Sequence, residues 1–261
     1  MNNIKSKIIK VDGLDVNYYT AGSGEPLIIL HGGGGDARTW SQNIEALSDK
    51  YTVYAPDLPG YGASQPLVGR YFIPELTGFV DSFSHNLGLG RFHLAGHSLG
   101  GGIALNYALE FPHSIKKLVL VSSLCLGREI AFWVRLLSIP ALLRFAGAMT
   151  MAVLKSIKWV LDTLVQGVEF IIPLSPASVT VGGSITTIRE QTVVLANRLS
   201  EIMMPTLLVW GARDPIVPVQ HAYAAAKVIR DCRVKVFENR GHNVHRDEVN
   251  QFSSVLSDFL G

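Results

Sequence analysis

Apolar and polar positions follow two periods along the chain, and the period changes from segment to segment. Residues 4–10 and 14–20 alternate at every second position on either side of Asp12-Gly13, which predicts an antiparallel β-hairpin. Beyond it, short continuous apolar runs are followed by turns and by apolar side chains at helical spacing. We predict buried strands at 27–30, 51–55, 92–95, 117–122, 205–210 and 234–237, and helices at 74–87, 99–110, 220–228 and 248–260.

This order of strand, turn and helix predicts an α/β fold. It is typical of a mostly parallel sheet that has helices on both faces and binds ligands at the carboxyl ends of its strands. The order stops between residues 124 and 201, where no strand–turn–helix unit can be placed. We therefore predict a core formed by residues 1–123 and 202–261, with residues 124–201 inserted as a helical cap.

The predicted cap is poor in charge, since residues 130–172 carry only six charged side chains in forty-three. Within residues 130–172, no uncharged run exceeds ten residues, whereas a membrane-spanning helix requires about twenty. We therefore predict no integral membrane segment. Trp133 and Trp159 are among the large apolar side chains of the cap and are predicted to bind substrate. The alternative, which the sequence leaves open, is that such side chains only attach the cap to the core.

Charge and cysteine content narrow the function classes further. The formal net charge is +2 and no run of five basic residues occurs, so we expect no nucleic-acid partner. Cys125 and Cys232 lack metal-ligand spacing and are predicted to be buried free thiols in a reducing compartment. The N-terminal segment has no apolar stretch of signal-peptide length, so a cytoplasmic location is expected. A homodimer is left open.

The clearest chemical motif is Gly96-His97-Ser98-Leu99-Gly100, between a predicted buried strand and a predicted helix. A Gly-x-Ser-x-Gly turn places serine at a sharp corner, where the two glycines avoid Cβ collisions and the hydroxyl becomes accessible. The N-terminus of the following helix offers free N–H groups to a negatively charged group. Ser98 is therefore the predicted nucleophile.

Two further residues complete a reactive set. Asp214 and His242 follow the predicted strands 205–210 and 234–237, so we expect both near Ser98 at the carboxyl edge of the sheet. Serine needs a base to become a nucleophile, imidazole has a suitable pKa, and a carboxylate orients the imidazole. His245 is a competing base. The predicted strand after the helix of Ser98 ends at Ser122-Ser123 and offers no carboxylate as a competing acid.

The glycine run Gly32-Gly33-Gly34-Gly35 follows the predicted strand 27–30 and suggests a close approach of the backbone to a ligand. His31, which opens this run, is predicted to brace it. Asp57 is predicted to be structural and to bond its own turn. His97, at the variable position of the serine turn, is a candidate for contact with substrate.

Five stretches together resemble the α/β-hydrolase fold family: HGGGGDARTW, DLPGYGAS, GHSLGG, WGARDPIVP and GHNVHRDE, spread over residues 31–248. The resemblance implies a mostly parallel eight-stranded sheet with an inserted helical cap. It also implies a serine nucleophile, a Ser-Asp-His triad and no cofactor or metal. By the same resemblance, the backbone N–H groups of Gly33 and Leu99 form an oxyanion hole, and Gly32 and His97 lie in the substrate-binding site.

Three hypotheses about function follow for a small-molecule substrate. The first is hydrolysis of a small carboxylic ester or thioester with an apolar acyl group through an acyl-enzyme. The second is hydrolysis of a carbon–carbon bond in a ring-cleavage dienoate, for which Arg189 is a candidate substrate ligand. The third is a ligand receptor on the same fold. Dehalogenases and epoxide hydrolases of this family use a carboxylate nucleophile, and Ser98 excludes them.

Overall fold

The computed structural model describes residues 4–68, 71–135 and 190–261. In this part of the chain, one eight-stranded sheet has the order β1-β2-β4-β3-β5-β6-β7-β8. The pairs β1–β2 and β2–β4 are antiparallel, and the pairs from β4 to β8 are parallel. The strands are β1 (Lys5–Val11), β2 (Leu14–Ala21), β3 (Glu25–Leu30), β4 (Tyr51–Pro56), β5 (Phe92–His97), β6 (Ile115–Val121), β7 (Thr206–Gly211) and β8 (Cys232–Phe237). The predicted fold class is confirmed.

Helices cover both faces of this sheet. Alternate residues of β3 point to opposite sides, with Ile28 in one apolar cluster and Ile29 in the other. Helices α2, α3 and α5 contribute to the first cluster, and α1, α6 and α7 contribute to the second. The helices are α1 (Ser41–Leu47), α2 (Ile73–Asn86), α3 (Leu99–Glu110), α4 (Phe132–Arg135), α5 (Gln220–Ala226), α6 (Val244–Asp247) and α7 (Val249–Leu260), with 3₁₀ turns at Ala37–Trp40, Pro112–Ser114 and Ala196–Glu201.

The N-terminal hairpin forms as the sequence predicts. Asp12 and Gly13 have φ angles of 49° and 86°, so both occupy the left-handed region that a two-residue hairpin turn requires. Aspartate tolerates this region and glycine enters it without penalty, which explains why this dipeptide sets the register. Val11 pairs with Leu14 immediately before and after the turn.

Two details differ from the sequence prediction. Helix α6 follows the loop of His242 and was not predicted, because four residues are too few to establish a helical period. Cys232 is only half-buried, so the prediction of two buried thiols is wrong for this residue. It begins β8, one of the two edge strands of the sheet, which pairs only with β7 among the described residues. Cys125 is buried as predicted, and both thiols are free.

The two ends of the predicted cap pack against the core. Leu124, Ile130, Val134, Leu195 and Leu199 are buried in the same apolar cluster as α2 and α3. Residues 136–189 lie outside the described residues, so the helical cap stays a prediction. Among the helices of the described ranges, none combines the length and the apolar character needed to cross a bilayer.

Candidate active site

The predicted nucleophile lies at the junction of β5 and α3. Ser98 has φ 51° and ψ −111°, a strained conformation for a residue with a side chain. A Cβ atom at Gly96 would collide with the carbonyl oxygen of Gly100, and one at Gly100 would lie 2.5 Å from that of Leu30. The two glycines therefore permit the sharp turn, and Ser98 is partly exposed between buried neighbours.

Asp214 and His242 meet in the loops that follow β7 and β8. Oδ2 of Asp214 lies 2.8 Å from Nδ1 of His242. Oδ1 accepts hydrogen bonds from the backbone N–H groups of Ile216 and Val217 at 2.8 and 3.0 Å. The Asp214 side chain is fully buried. Its orientation is therefore held by three hydrogen bonds from neighbouring groups.

These contacts determine which imidazole nitrogen carries the proton. Burial favours the neutral acid, but the hydrogen bond and charge of His242 and the amides of Val217 and Ile216 outweigh it and lower the pKa of Asp214. The carboxylate is therefore ionised at neutral pH and only accepts hydrogen bonds. Nδ1 of His242 must donate, which leaves Nε2 with the lone pair that a general base requires.

His97 joins the serine turn to the loop of His242. Its Nε2 lies 3.0 Å from the main-chain oxygen of His242, and the two rings have centroids 4.7 Å apart. The His97 ring also packs against His245, with centroids 4.4 Å apart, and His245 packs against Trp40 with centroids 4.1 Å apart. Burial lowers the pKa of His97 to about 3 and the pKa of His245 well below its usual value. Both rings are neutral at pH 7.

The histidine that opens the glycine loop is buried and braces it, as predicted. Nε2 of His31 accepts a hydrogen bond from the backbone N–H of Leu58 at 2.9 Å. Nδ1 therefore carries the proton and donates to the carbonyl of Gly32 at 2.8 Å. Burial also lowers the pKa of His31, so this ring stays neutral.

Asp57 is structural and has a wider role than its own turn. Its carboxylate accepts hydrogen bonds from the backbone N–H groups of Ala37 and Ala63 at 2.9 and 3.0 Å and from the side chain of Asn17 at 2.9 Å. These donors belong to the glycine loop region, the turn after β4, and β2. Asp57 therefore ties the glycine loop to the sheet beside the predicted nucleophile.

The glycine loop lies against the serine turn. A Cβ atom at Gly32 would lie 2.7 Å from Nδ1 of His97 and 3.3 Å from Cβ of Ser98, so only glycine fits there without displacement. An added Cβ at Gly33 would contact the Leu99 side chain at 3.6 Å and the Tyr61 hydroxyl at 3.8 Å. The predicted oxyanion donors, Gly33 and Leu99, are thus neighbours.

Sequence reasoning missed Tyr61, whose ring packs against His31 with centroids 5.1 Å apart. The two rings come from distant segments, and in the sequence Tyr61 was noted only as part of the DLPGYGAS stretch.

Trp133 lies in α4, but its side chain is outside the described residues. Trp159 and Arg189 also fall outside them. The substrate-binding roles predicted for these three residues stay predictions.

Comparison with known proteins identifies the family to which this fold belongs. The sequence profile described as "alpha/beta hydrolase fold" matches residues 25–166, more than half of the chain. The chain belongs to the α/β-hydrolase fold family. The family resemblance carried by the motifs is therefore confirmed, and the protein is an enzyme of the hydrolase class found among its relatives.

Two relatives and one solved structure represent this family. The dihydrolipoyllysine-residue acetyltransferase component of the acetoin cleaving system of Cupriavidus necator is 32% identical over 96% of this chain and 68% of its own length. A 2-hydroxy-6-oxo-6-phenylhexa-2,4-dienoate hydrolase of Comamonas testosteroni is 30% identical over 98% of this chain and 96% of its own. The structure of a bacterial membrane phospholipase A matches with a TM-score of 0.77 at 25% identity, covering 99% of this chain and 86% of that one.

Proposed function

We propose that the protein is a serine hydrolase that cleaves a small carboxylic ester or thioester with an apolar acyl group. Ser98 is the nucleophile, His242 the general base and acid, and Asp214 the residue that orients His242. The observation that carries the proposal is the 2.8 Å contact between Asp214 and His242. This contact leaves Nε2 of His242 as the basic nitrogen. His97 joins the loop of His242 to the turn of Ser98.

The reaction has two halves that use the same residues. Nε2 of His242 takes the hydroxyl proton of Ser98 while the oxygen attacks the acyl carbon, and His242 then protonates the leaving alcohol or thiol. The acyl-enzyme is hydrolysed by water, whose proton passes to His242 and then back to Ser98. Asp214 stays ionised throughout and stabilises the imidazolium.

The oxyanion of each tetrahedral intermediate is assigned to the backbone N–H groups of Gly33 and Leu99. Leu99 is the first residue of α3, so its N–H has no intrahelical acceptor and lies at the positive end of the helix. No acceptor for the N–H of Gly33 occurs among residues 4–68, 71–135 and 190–261. Preorganised donors of this kind each contribute roughly 10²–10³ in kcat.

Hydrolysis of a dienoate carbon–carbon bond is the second candidate. The observation that favours it is the 30% identity to the Comamonas testosteroni dienoate hydrolase over nearly the full length of both chains. The same three residues serve both reactions. The candidates differ in their substrate contacts, for which the sequence offers Arg189 in the dienoate case.

A fluorophosphonate probe followed by a substrate panel tests the proposal. We expect the probe to label the native protein and not Ser98→Ala, whose turnover falls by several orders of magnitude. Ser122→Ala is the matched control, since this buried serine directly follows the neighbouring strand β6 and has no assigned role. Labelling of Ser98→Ala at the native rate would contradict the proposal. Parallel assays with p-nitrophenyl esters and one dienoate distinguish the two candidates.

The preference for an apolar acyl group is tested by chain length. Each buried CH₂ group contributes about 0.8 kcal/mol, so kcat/KM should rise with acyl length and fall once the pocket is full. If Trp133 and Trp159 line that pocket, Trp133→Ala or Trp159→Ala shifts the optimum towards longer chains. An unchanged optimum with a lowered melting temperature would mean that both side chains only stabilise the protein.

A further inference from the structure

We propose that His97 is a positioning residue for His242. Its Nε2–H group holds the main-chain carbonyl of His242, and its ring, supported by His245 and Trp40, fixes the position of the His242 imidazole. The inference rests on the proposed function, in which His242 is the base, and it gives His97 a role other than contact with substrate.

The direction of the hydrogen bond follows from the chemistry of its partner. A backbone carbonyl only accepts, so Nε2 of His97 must carry the hydrogen in the 3.0 Å contact with His242. The ring is neutral, and Nδ1 is therefore unprotonated on the side that faces Gly32. The histidines of this contact thus have fixed and different tautomers, with the proton on Nε2 in His97 and on Nδ1 in His242.

The position of His97 in the chain makes this contact useful. It directly precedes Ser98, so its side chain connects the strained serine turn with the loop that carries the base. The distance between Ser98 and His242 is therefore fixed by His97 as well as by the positions of their strands in the sheet. A shift of about 1 Å in such a separation costs on the order of 10² in rate.

His245 contributes through its ring faces. It is almost fully buried, and neither ring nitrogen has a partner among the described residues. Its ring lies between His97 and Trp40, with centroid separations of 4.4 and 4.1 Å. His245 has no carboxylate partner among the described residues to orient it as a base. Its ring instead packs against the ring of His97.

The surroundings of His97 and His245 disfavour a proton on either ring. Burial, the charge of a protonated His242 and the charge of Arg246 lower the pKa of His97 despite the attraction of Asp214. Burial and the charges of His97, Arg246 and His242 lower the pKa of His245. A proton on His97 would also lie beside the imidazolium that forms on His242 during the reaction. The neutral His97 ring avoids that repulsion while its donor stays in place.

A matched pair of variants tests the hydrogen bond separately from the ring. His97→Leu and His97→Gln both remove the ring and have similar volumes, but only glutamine retains an N–H donor at comparable reach. His93→Leu is the control, because His93 is a buried histidine of the same strand that contacts Glu25. Circular dichroism and thermal melting establish that each variant is folded.

The first readout is the low-field proton resonance of the Nδ1–H of His242, assigned by its loss in Asp214→Asn. We expect it to be displaced or broadened in His97→Leu and retained in His97→Gln and His93→Leu. The second is fluorophosphonate labelling, which should slow about 10²-fold in His97→Leu and by less than about tenfold in His97→Gln. KM should stay near its native value in both.

The outcomes separate the inference from the proposed function. A folded His97→Leu with the native resonance and labelling rate would overturn the inference, even if its melting temperature were lower. If His97→Leu does not fold, a folded His97→Gln that has lost the resonance would overturn it instead. A native protein that the probe does not label would refute the proposed function, and the resonance would still test the contact.

Discussion

The ends of β6 and β7 lie side by side in the sheet but hold different kinds of side chain. After β7, Asp214 is buried and held by two backbone amides and His242. After β6, Ser122 is buried in a strained conformation with φ 44°, and its hydroxyl has no partner among the described residues. Neighbouring strand ends are therefore not equivalent, because the loop after β7 surrounds a carboxylate with donors, whereas Ser122 after β6 is uncharged.

The loop after β6 has a different role, because it is bonded to residues near the other end of the predicted cap. The side chain of Gln191 accepts a hydrogen bond from the N–H of Cys125 and donates to the carbonyls of Gly127 and Glu129. The N–H of Leu195 adds a bond to the carbonyl of Cys125 at 2.7 Å. The comparison teaches that one strand end holds a carboxylate of the proposed triad, while the adjacent one joins the first and last described residues of 124–201.

The largest effect is expected from Asp214→Asn. The amide preserves the shape but disturbs the tautomer of His242, so kcat should fall by about 10⁴. The far-ultraviolet circular dichroism spectrum should stay native. Steady-state kinetics on the best ester of the panel measure the change. A fall of less than tenfold would mean that another carboxylate orients His242, and the contrast between the two strand ends would not hold.

Gln191→Ala tests the contacts that hold the loop after β6. It removes three hydrogen bonds and leaves the buried N–H of Cys125 unsatisfied, which should lower the free energy of unfolding by roughly 2–4 kcal/mol. Urea denaturation measures the loss. Gln65→Ala is the control, because Gln65 makes an exposed bond to Asp15 and should cost less than about 1 kcal/mol. Equal losses in the two variants would contradict the role of Gln191.

Acid distinguishes the two strand ends in a third way. The folded-state pKa of Asp214 is lowered, so its stabilisation is present above the unfolded pKa of about 3.9 and is lost as pH falls through the folded value. Melting temperatures between pH 7 and pH 3 should therefore fall less steeply for Asp214→Asn than for the native protein. Ser122→Ala should follow the native curve. Identical curves for the native protein and both variants would show that the ionised Asp214 does not stabilise the fold through its contacts.

The smallest expected effect belongs to Ser122→Gly. Glycine relieves the left-handed conformation, which costs roughly 1–2 kcal/mol for other residues, but it adds about 0.5–1 kcal/mol of unfolded-state entropy. We expect the free energy of unfolding to rise by less than about 1 kcal/mol. Denaturant titration measures this change, and a clear loss of stability would indicate an unrecognised contact of the hydroxyl.

Local patterns predicted most of the fold. Asp12-Gly13 marked the hairpin because the turn is determined by two residues, and the Gly-x-Ser-x-Gly motif marked the strand-to-helix corner because its steric reason is local. The placement of Asp214 and His242 at one sheet edge followed from the parallel order of the strands. In each case, the relevant physics lies within a few residues or follows from the period of the pattern.

The contacts that sequence did not predict join distant segments. The ring of His245 contacts the rings of Trp40 and His97, which lie in two other parts of the chain. No period in the sequence of these segments indicates the contacts. Gln191 reads as an ordinary polar residue, although it is buried and holds the loop after β6. Such side chains gain their roles from packing, which only the three-dimensional structure supplies.

The strand order has a consequence for how activity is lost on heating. Ser98 follows β5, which is hydrogen-bonded on both sides, whereas His242 follows β8, an edge strand of the sheet in the described part of the chain. Edge strands open locally at lower free energy than central ones, and their amide hydrogens exchange sooner. The proposed base and the proposed nucleophile therefore follow strands of unequal local stability. Fraying of β8 would separate them while the rest of the sheet persists, so thermal inactivation should precede global unfolding and be reversible.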